Sequence, residues 1–303
     1  MTSTLEKIAE ELHAPARKKF LRRKVVSLFR GDLYQGDLID IQSHSKINRG
    51  FKFILIVIDT YTKYVWVEAL KNKSAKEVTR GMGNILKKNR PKLLQTDNGT
   101  EFYNKQFQDL MRKYNIKHYS TYSNIKAAIV ERVIRTIKNN IYKNFTANGS
   151  FNWYNSLSKV IFDYNNTKHR TINCTPQEAQ KNPIQLNLTK TEKYVKPKFR
   201  INDKVRISKY KHAFSKGYTP NWTTEIFTIS KILQTNPVTY QLKDASNNII
   251  QGCFYQQEIK LTNFPDTFLI ERVIRRNKNN LFVKWYGLNS SFNSYISLND
   301  IKK

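Results

Sequence analysis

Acidic residues are scarce in this chain. Of 303 residues, 23 are Asp or Glu against 53 Lys or Arg, a formal net charge of +30. Such a balance says little about fold but much about partners. Polyanions are expected, with binding that falls steeply as salt rises. Cysteine is scarcer still: Cys174 and Cys253 are the whole complement. A disulfide framework is therefore not expected, and a reducing, intracellular setting fits. The histidines form no H-x3-5-H pair and no Cys-x-x-Cys occurs, so no zinc site is expected. The longest uninterrupted apolar run, Phe53 to Ile58, is far too short to span a bilayer. Every amphipathic helix has a core-facing role, so no membrane partner is expected. Met-Thr-Ser-Thr-Leu-Glu at the start has no apolar h-region, so no signal peptide is expected.

Against so few carboxylates, an acid in a special place carries weight. The stretch LLQTDNGTEFYN, residues 93–104, ends a buried strand, and Asn98-Gly99 is a strong hairpin signal. A hairpin would make Asp97 an ordinary turn residue. However, Phe107, Leu110, Met111 and Tyr114 follow at i, i+3, i+4 and i+7, which is a helical stripe. The unit reads as strand, turn, helix. That places Asp97 at the C-terminal lip of a strand, where open α/β sheets keep their ligands.

Around it the pattern is α/β. Strands are expected at 34–42, 51–58, 64–70, 92–96 and 116–121. Ser74-Ala-Lys-Glu77 opens a helix as a capping box, and Gly81 and Gly83 weaken that helix. A strong amphipathic helix is expected over roughly 125–145, with Val130, Val133, Ile134, Ile137 and Ile141 as its apolar stripe. Another carries Trp153, Leu157, Val160, Ile161 and Tyr164. The order β-β-β-α-β-α-β-α-α closes near Pro183. Before it, a basic N-terminal arm (1–30) holds a helical lead, Leu5, Ile8 and Leu12, and the run Arg17–Lys24. That run is either a phosphate-binding or nuclear-import arm or a solvated tail. After residue 198 the period changes to two, with short strands and turns as in a small barrel.

Three acids stand out. Asp97 sits at its strand end. Glu131 lies on the shoulder of the apolar stripe of its helix, with Arg135 and Lys138 on the same flank. A weak surface Glu–Arg pair is the plain alternative. In the first strand Asp37 and Asp40 point to opposite faces, and Asp59 ends the second. The pattern alone does not choose among these three.

A resemblance does. YQGDLIDIQ, TDNGTEF and IKAAIVERVIRTIK resemble the three acid-bearing motifs of retroviral-type (DDE, RNase H-like) integrases, which map to Asp37, Asp97 and Glu131. Tyr34 stands where that family usually has tryptophan. YNNTKHRTINCTP, with Tyr164, Asn165, His169 and Pro176, resembles the end of that core. The flanks LHAPARKKFLRRKV and FSKGYTPNWTTEIFTI are similar to integrases of Maverick/Polinton transposons and virophages. The fold class implied is an α/β RNase H-like mixed-sheet core (31–188), a small all-β SH3-like barrel (198–263) and a chromodomain-like module (266–303).

The resemblance implies a polynucleotidyl transferase. It would perform 3′-end processing of element DNA and strand transfer into target DNA, with Asp37, Asp97 and Glu131 as catalytic and metal-binding residues. Two Mg2+ or Mn2+ ions per site are implied, because hard oxygen ligands suit these and not zinc. Double-stranded DNA, both element ends and target, would be held by Arg135, Lys138, Lys204, Arg206 and Lys209, and the protein would act as a homo-oligomer on DNA. Phe268 and Trp285 match two positions of a methyl-lysine cage, while Leu288 stands at the third, so chromatin or histone contact hangs on a partial aromatic cage. The implied location is intracellular, in the host nucleus, with carriage in a virus particle as a further option. The alternatives are a metal-dependent endonuclease or transposase that does not join strands, and an inactive DNA- or chromatin-binding protein.

Overall fold

The computed structural model describes residues 3–17, 19–23, 25–120, 128–182, 196–211 and 216–298. It divides into two compact units, Met1–Arg23 with Thr191–Lys303, and Lys24–Lys190. The chain opens with α1 (Thr4–His13), which belongs to the first-named unit.

Within Lys24–Lys190, β1 (Leu33–Asp40), β2 (Phe53–Asp59) and β3 (Val65–Leu70) pair antiparallel. The chain then crosses through α2 (Ala75–Leu86), so β4 (Leu93–Thr96) lies parallel to β1. A second crossover, α3 (Lys105–Lys113), brings β5 (Lys117–Ser120) parallel to β4. The resulting order, β3-β2-β1-β4-β5, is the RNase H-like mixed sheet that the resemblance implied. Two long helices follow, α4 (Ala128–Asn148) and α5 (Tyr154–Asn165).

β2 explains the unbroken apolar run, because helices cover both of its faces. Ile54, Ile56 and Ile58 pack with the stripe of α4 and with Trp153, Leu157 and Val160. Phe53, Leu55 and Val57 pack with Val78, Met82 and Ile85 of α2 and with Phe107 and Met111 of α3. α2 runs through Gly81 despite its helix cost, for a packing reason. A Cβ there would stand 2.9 Å from Leu70 Cδ2, so the bare residue lets the helix seat on β3.

A short helix, α6 (Pro176–Lys181), was not expected. Thr175 and Glu178 form its capping box, with Pro176 in the first turn, so the proline of the last motif is a helix start. Asn165 in the same motif is buried, and its amide both donates to and accepts from the Val65 backbone at 3.0 Å. It serves β3 as a missing strand partner. Residues 121–127, which include the last residue of the expected fifth strand and the start of the expected long helix, lie outside the described residues.

In the other unit, β6 (Lys204–Ile207), β7 (Phe227–Leu233), β8 (Thr239–Lys243), β9 (Phe254–Tyr255) and β10 (Ile259–Leu261) form an antiparallel sheet ordered β10-β6-β7-β8-β9. Val205, Ile229, Tyr240 and Leu242 fill its core. A second sheet contains β11 (Ile270–Asn277), β12 (Asn280–Trp285) and β13 (Ser294–Ser297). All-β structure after residue 198 is as expected; β13 was not foreseen.

The helical lead is not a loose arm. Ile8 and Leu12 of α1 are buried with Trp222, and the Trp222 indole donates to the Ala14 carbonyl at 2.9 Å. Residues up to Arg23 therefore belong with the C-terminal β structure, a correction to an arm spanning 1–30. Among the described residues no helix is long and apolar enough to cross a membrane.

Candidate active site

The sheet sets the first two acids side by side. β1 and β4 run parallel with Gln35 opposite Gln95, so two residues further on Asp37 comes level with Asp97. Asp37 is half-buried on β1, and Asp97 is half-buried just past the end of β4. The expected turn then follows. Asp97 Oδ1 accepts the Gly99 N–H at 3.0 Å, and the Asn104 side chain caps α3 by accepting the Phe107 N–H at 2.9 Å. Asn98-Gly99 is thus no hairpin, and Asp97 stands at a strand lip.

Glu131 lies in the first described turn of α4 and is exposed. The electrostatics of Asp37 register all of these neighbours. Burial pushes its carboxyl up to about 6 against a lowering from the Leu38 N–H, and the negative charges of Asp97, Glu131 and Glu101 raise it further. Each carboxylate adds to the cost of ionising the next. Sequence reasoning missed Glu101, which looks like any polar residue of a turn. Its carboxylate folds over Gly99 so closely that a Cβ there would lie 2.6 Å from it.

The two competing acids have other work. Asp59 is fully buried; its carboxylate accepts the Tyr61 N–H at 2.9 Å and the Gly31 N–H at 3.2 Å, which anchors a turn. Asp40 is exposed and holds Gln42 through its backbone and side-chain nitrogens, both at 3.1 Å.

Behind Asp97, β5 supplies a support. His118 Nε2 bonds the Thr96 hydroxyl at 2.8 Å, and that hydroxyl donates to the Asp97 carbonyl at 2.8 Å. Burial lowers the His118 imidazole to about 4. It is therefore neutral at physiological pH and holds the strand end without adding charge.

The donor chemistry suits a hard divalent cation, because every candidate ligand is a carboxylate oxygen. Among the described residues no three such side chains converge into a ready-made cation cage.

The expected DNA-contact residues divide. On α4, Arg135 is exposed and Lys138 half-buried, on the flank of Glu131. Lys204 and Lys209 are exposed in the β unit. Arg206 is not available. It is 2% exposed, and its guanidinium pairs with Glu11 at 2.7 Å and donates to the Thr223 and Thr224 carbonyls. A phosphate could not reach it, so Arg206 is a structural residue. Phe268 and Trp285 do meet, with ring centroids 5.9 Å apart and edge to face.

Residues 30–122 match the family model described as Integrase core domain. A transposon-derived protein of Caenorhabditis elegans is 33% identical over 186 residues, which are 61% of this chain and 64% of that protein. The retrovirus-related Pol polyprotein from transposon 412 of Drosophila melanogaster is 27% identical over 173 residues, 55% of this chain and 14% of that polyprotein. The chain thus spans less than two thirds of either relative. Among solved structures, the simian T-cell lymphotropic virus intasome in complex with PP2A regulatory subunit B56 gamma has a chain that aligns at a TM-score of 0.60. The match covers 86% of this chain and 91% of that one, at 15% identity, a likeness of fold. Residues 30–122 are thus similar to integrase core domains, and the chain is similar to proteins derived from transposons and to retrovirus-related polyproteins.

Proposed function

We propose that this protein is a DNA integrase that trims the 3′ ends of element DNA and joins them to target DNA. Asp37, Asp97 and Glu131 would be its catalytic carboxylates. One observation supports the reading: the Asp37 carboxyl is raised to about 6, first by burial and then by the charges of Asp97, Glu131 and Glu101. An excess of positive charge elsewhere leaves this cluster as the place where cations from solution would be taken up.

Asp37, level with Asp97 and under the charge of Glu131, would hold two Mg2+ or Mn2+ ions together with those two acids. Bound there, the ions would neutralise charge on the attacking and leaving oxygens. In the first reaction water attacks a phosphodiester near the element end. The new P–O bond forms as the P–O3′ bond breaks, the departing 3′ oxygen takes a proton, and a free 3′-OH remains. In the second, that hydroxyl loses its proton and attacks a target phosphodiester, and the target's own 3′ oxygen leaves and is protonated. Bond count and charge balance in both steps, so no covalent enzyme intermediate is required.

Arg135 and Lys138 would grip the backbone of the DNA end beside Glu131, and Lys204 and Lys209 would meet phosphate elsewhere; such contacts position but do not specify sequence. The sheets after residue 198 are read as an SH3-like barrel and a chromodomain-like module, with the Phe268–Trp285 pair as a partial aromatic cage for a chromatin contact. A multimer on DNA in the host nucleus completes the proposal.

The test is a strand-transfer assay with a blunt duplex of the element terminus, supercoiled plasmid and Mg2+, with Glu131→Gln in parallel. Joined plasmid from the unaltered protein alone supports the integrase. Nicking without joining would replace it with an endonuclease. Bound but unreacted DNA with both proteins would leave a binding protein.

A further inference from the structure

Two residues before each strand acid lies a buried glutamine. Gln35 precedes Asp37 on β1, Gln95 precedes Asp97 on β4, and the two are register partners. Strand side chains alternate, so each glutamine shares the face of its acid. Gln35 Nε2 donates to Gln95 Oε1 at 2.9 Å, while Gln35 Oε1 accepts the Val130 N–H at 3.1 Å. The second bond fixes the orientation of the first, since a backbone N–H can only donate.

Val130 lies in the first described turn of α4. The next residue is Glu131, whose Cα is about 3.8 Å away. The contact therefore ties the turn of α4 that bears the third acid to the strand that bears the first. Core packing does not demand this arrangement. Apolar side chains would fill the same buried space without the cost of withdrawing two amides from water.

We propose that Gln35 is a positioning residue that registers α4 on the acid-bearing strands, holding Glu131 where it can share a divalent cation with Asp37 and Asp97. This rests on reading the three acids as a cation site. Gln95 completes the device by taking up the amide N–H that Gln35 has left over. Loss of Gln35 acts on cation affinity through the placement of Glu131, as loss of the groups that orient metal ligands does elsewhere.

The experiment uses the full-length chain and Mn2+ as probe, with free Mn2+ measured by electron paramagnetic resonance in the absence of DNA. Stability is followed in parallel by denaturant titration. Gln35→Met takes from Gln95 Oε1 its Gln35 donor and from the Val130 N–H its Gln35 acceptor, so it loses stability. Gln35→Met/Gln95→Met replaces both amides and regains the share of that stability that belongs to the Gln35–Gln95 bond, because removing both partners of a buried hydrogen bond is nearly neutral, while the Val130 N–H still lacks its Gln35 acceptor. The positioning role predicts that the double variant nevertheless binds Mn2+ about tenfold more weakly. If the double variant binds as tightly as the unaltered protein, Gln35 serves packing alone and the proposal falls. Glu131→Gln separates the two ideas. If it weakens Mn2+ binding while the glutamine variants do not, only the positioning role is lost. If it too binds normally, the cation site itself is wrong.

Discussion

Glu11 and Asp37 are both carboxylates drawn out of water, and the two units of the molecule treat them in opposite ways. Burial alone would raise Glu11, but the Asn263 N–H, the Thr262 hydroxyl and the Arg206 guanidinium outweigh it and hold the carboxyl below its ordinary range. Burial raises Asp37 too, but it receives one N–H from Leu38, and the charges that weigh on it are those of other acids, so it stands at about 6. The protein has a net charge of +30, so cations were not in short supply. Where an acid is structural, the fold answers it with an arginine. Around Asp37 the neighbouring acids Asp97, Glu131 and Glu101 raise the carboxyl instead, as they would in a site that takes its positive charge from solution.

The largest effect that could break this comparison concerns reaction rate. Asp37→Asn should reduce strand transfer by at least about 10³-fold, since several kcal/mol of charge stabilisation would be lost at roughly tenfold per 1.4 kcal/mol. Asp59→Asn should keep the rate, because Asp59 serves the backbone of a turn. Equal loss of activity in both, measured as joined plasmid per unit time, would mean that the strand acids had been assigned the wrong way round.

Glu11 should show the reverse profile. Glu11→Ala leaves the Arg206 guanidinium buried and unpaired, and removing one partner of such a pair costs about 3–5 kcal/mol. Hydrogen exchange on the full chain should show the loss in β6, β7 and α1, with the five strands of Lys24–Lys190 unchanged. Glu11→Met with Arg206→Met should recover most of it, because replacing both charges by apolar groups is often neutral. An undiminished Glu11→Ala protein would sink the contrast.

Acid should then separate the units by sign. A carboxyl raised in the folded state binds protons that the unfolded chain, near 3.9, does not, so Asp37 adds stability as pH falls through about 6 and loses it as pH rises. Glu11 is lowered, so its contribution is present above the unfolded value near 4.3 and fades as pH drops below it. In buffer without divalent cations, amides of β1 and β4 should gain protection between pH 7 and 5, after correction for intrinsic exchange. Asp37→Asn should diminish that gain. A fall in protection over the same range would contradict the raised carboxyl.

The sequence carried the sheet and the long helices because their signals are local. A period of two, a period of 3.6 and a proline stop mark each element without reference to any other. α6 escaped because six residues (Pro176–Lys181) are too few to show a stripe, although its capping box stood in plain view. The site was legible only in part. Asp97 followed from strand, turn and helix, but choosing Asp37 over Asp40 and Asp59 took a resemblance, since backbone partners such as Gly31 N–H leave no mark in sequence. The bond between Gln35 and Gln95 went unnoticed for the same reason, as its meaning lies in a register partner 60 residues away. Arg206 misled because its answering acid, Glu11, is 195 residues distant, and a basic residue in an alternating strand looks outward when read alone.

The smallest expected effect tests that last correction. Lys209 is exposed while Arg206 is 2% exposed, so of the two only Lys209 can release a counterion when DNA binds. Lys209→Ala should reduce the slope of log K against log salt by about 0.9 and weaken binding evenly across sequences. Arg206→Met paired with Glu11→Met should leave the slope where it was, because the guanidinium never reached phosphate. Fluorescence anisotropy with a labelled duplex across a salt series reads both. A slope lowered by the double change would return Arg206 to the DNA surface. An unmoved slope in Lys209→Ala would place the phosphate path elsewhere, with Lys204 and the α4 flank of Arg135 and Lys138 next to examine.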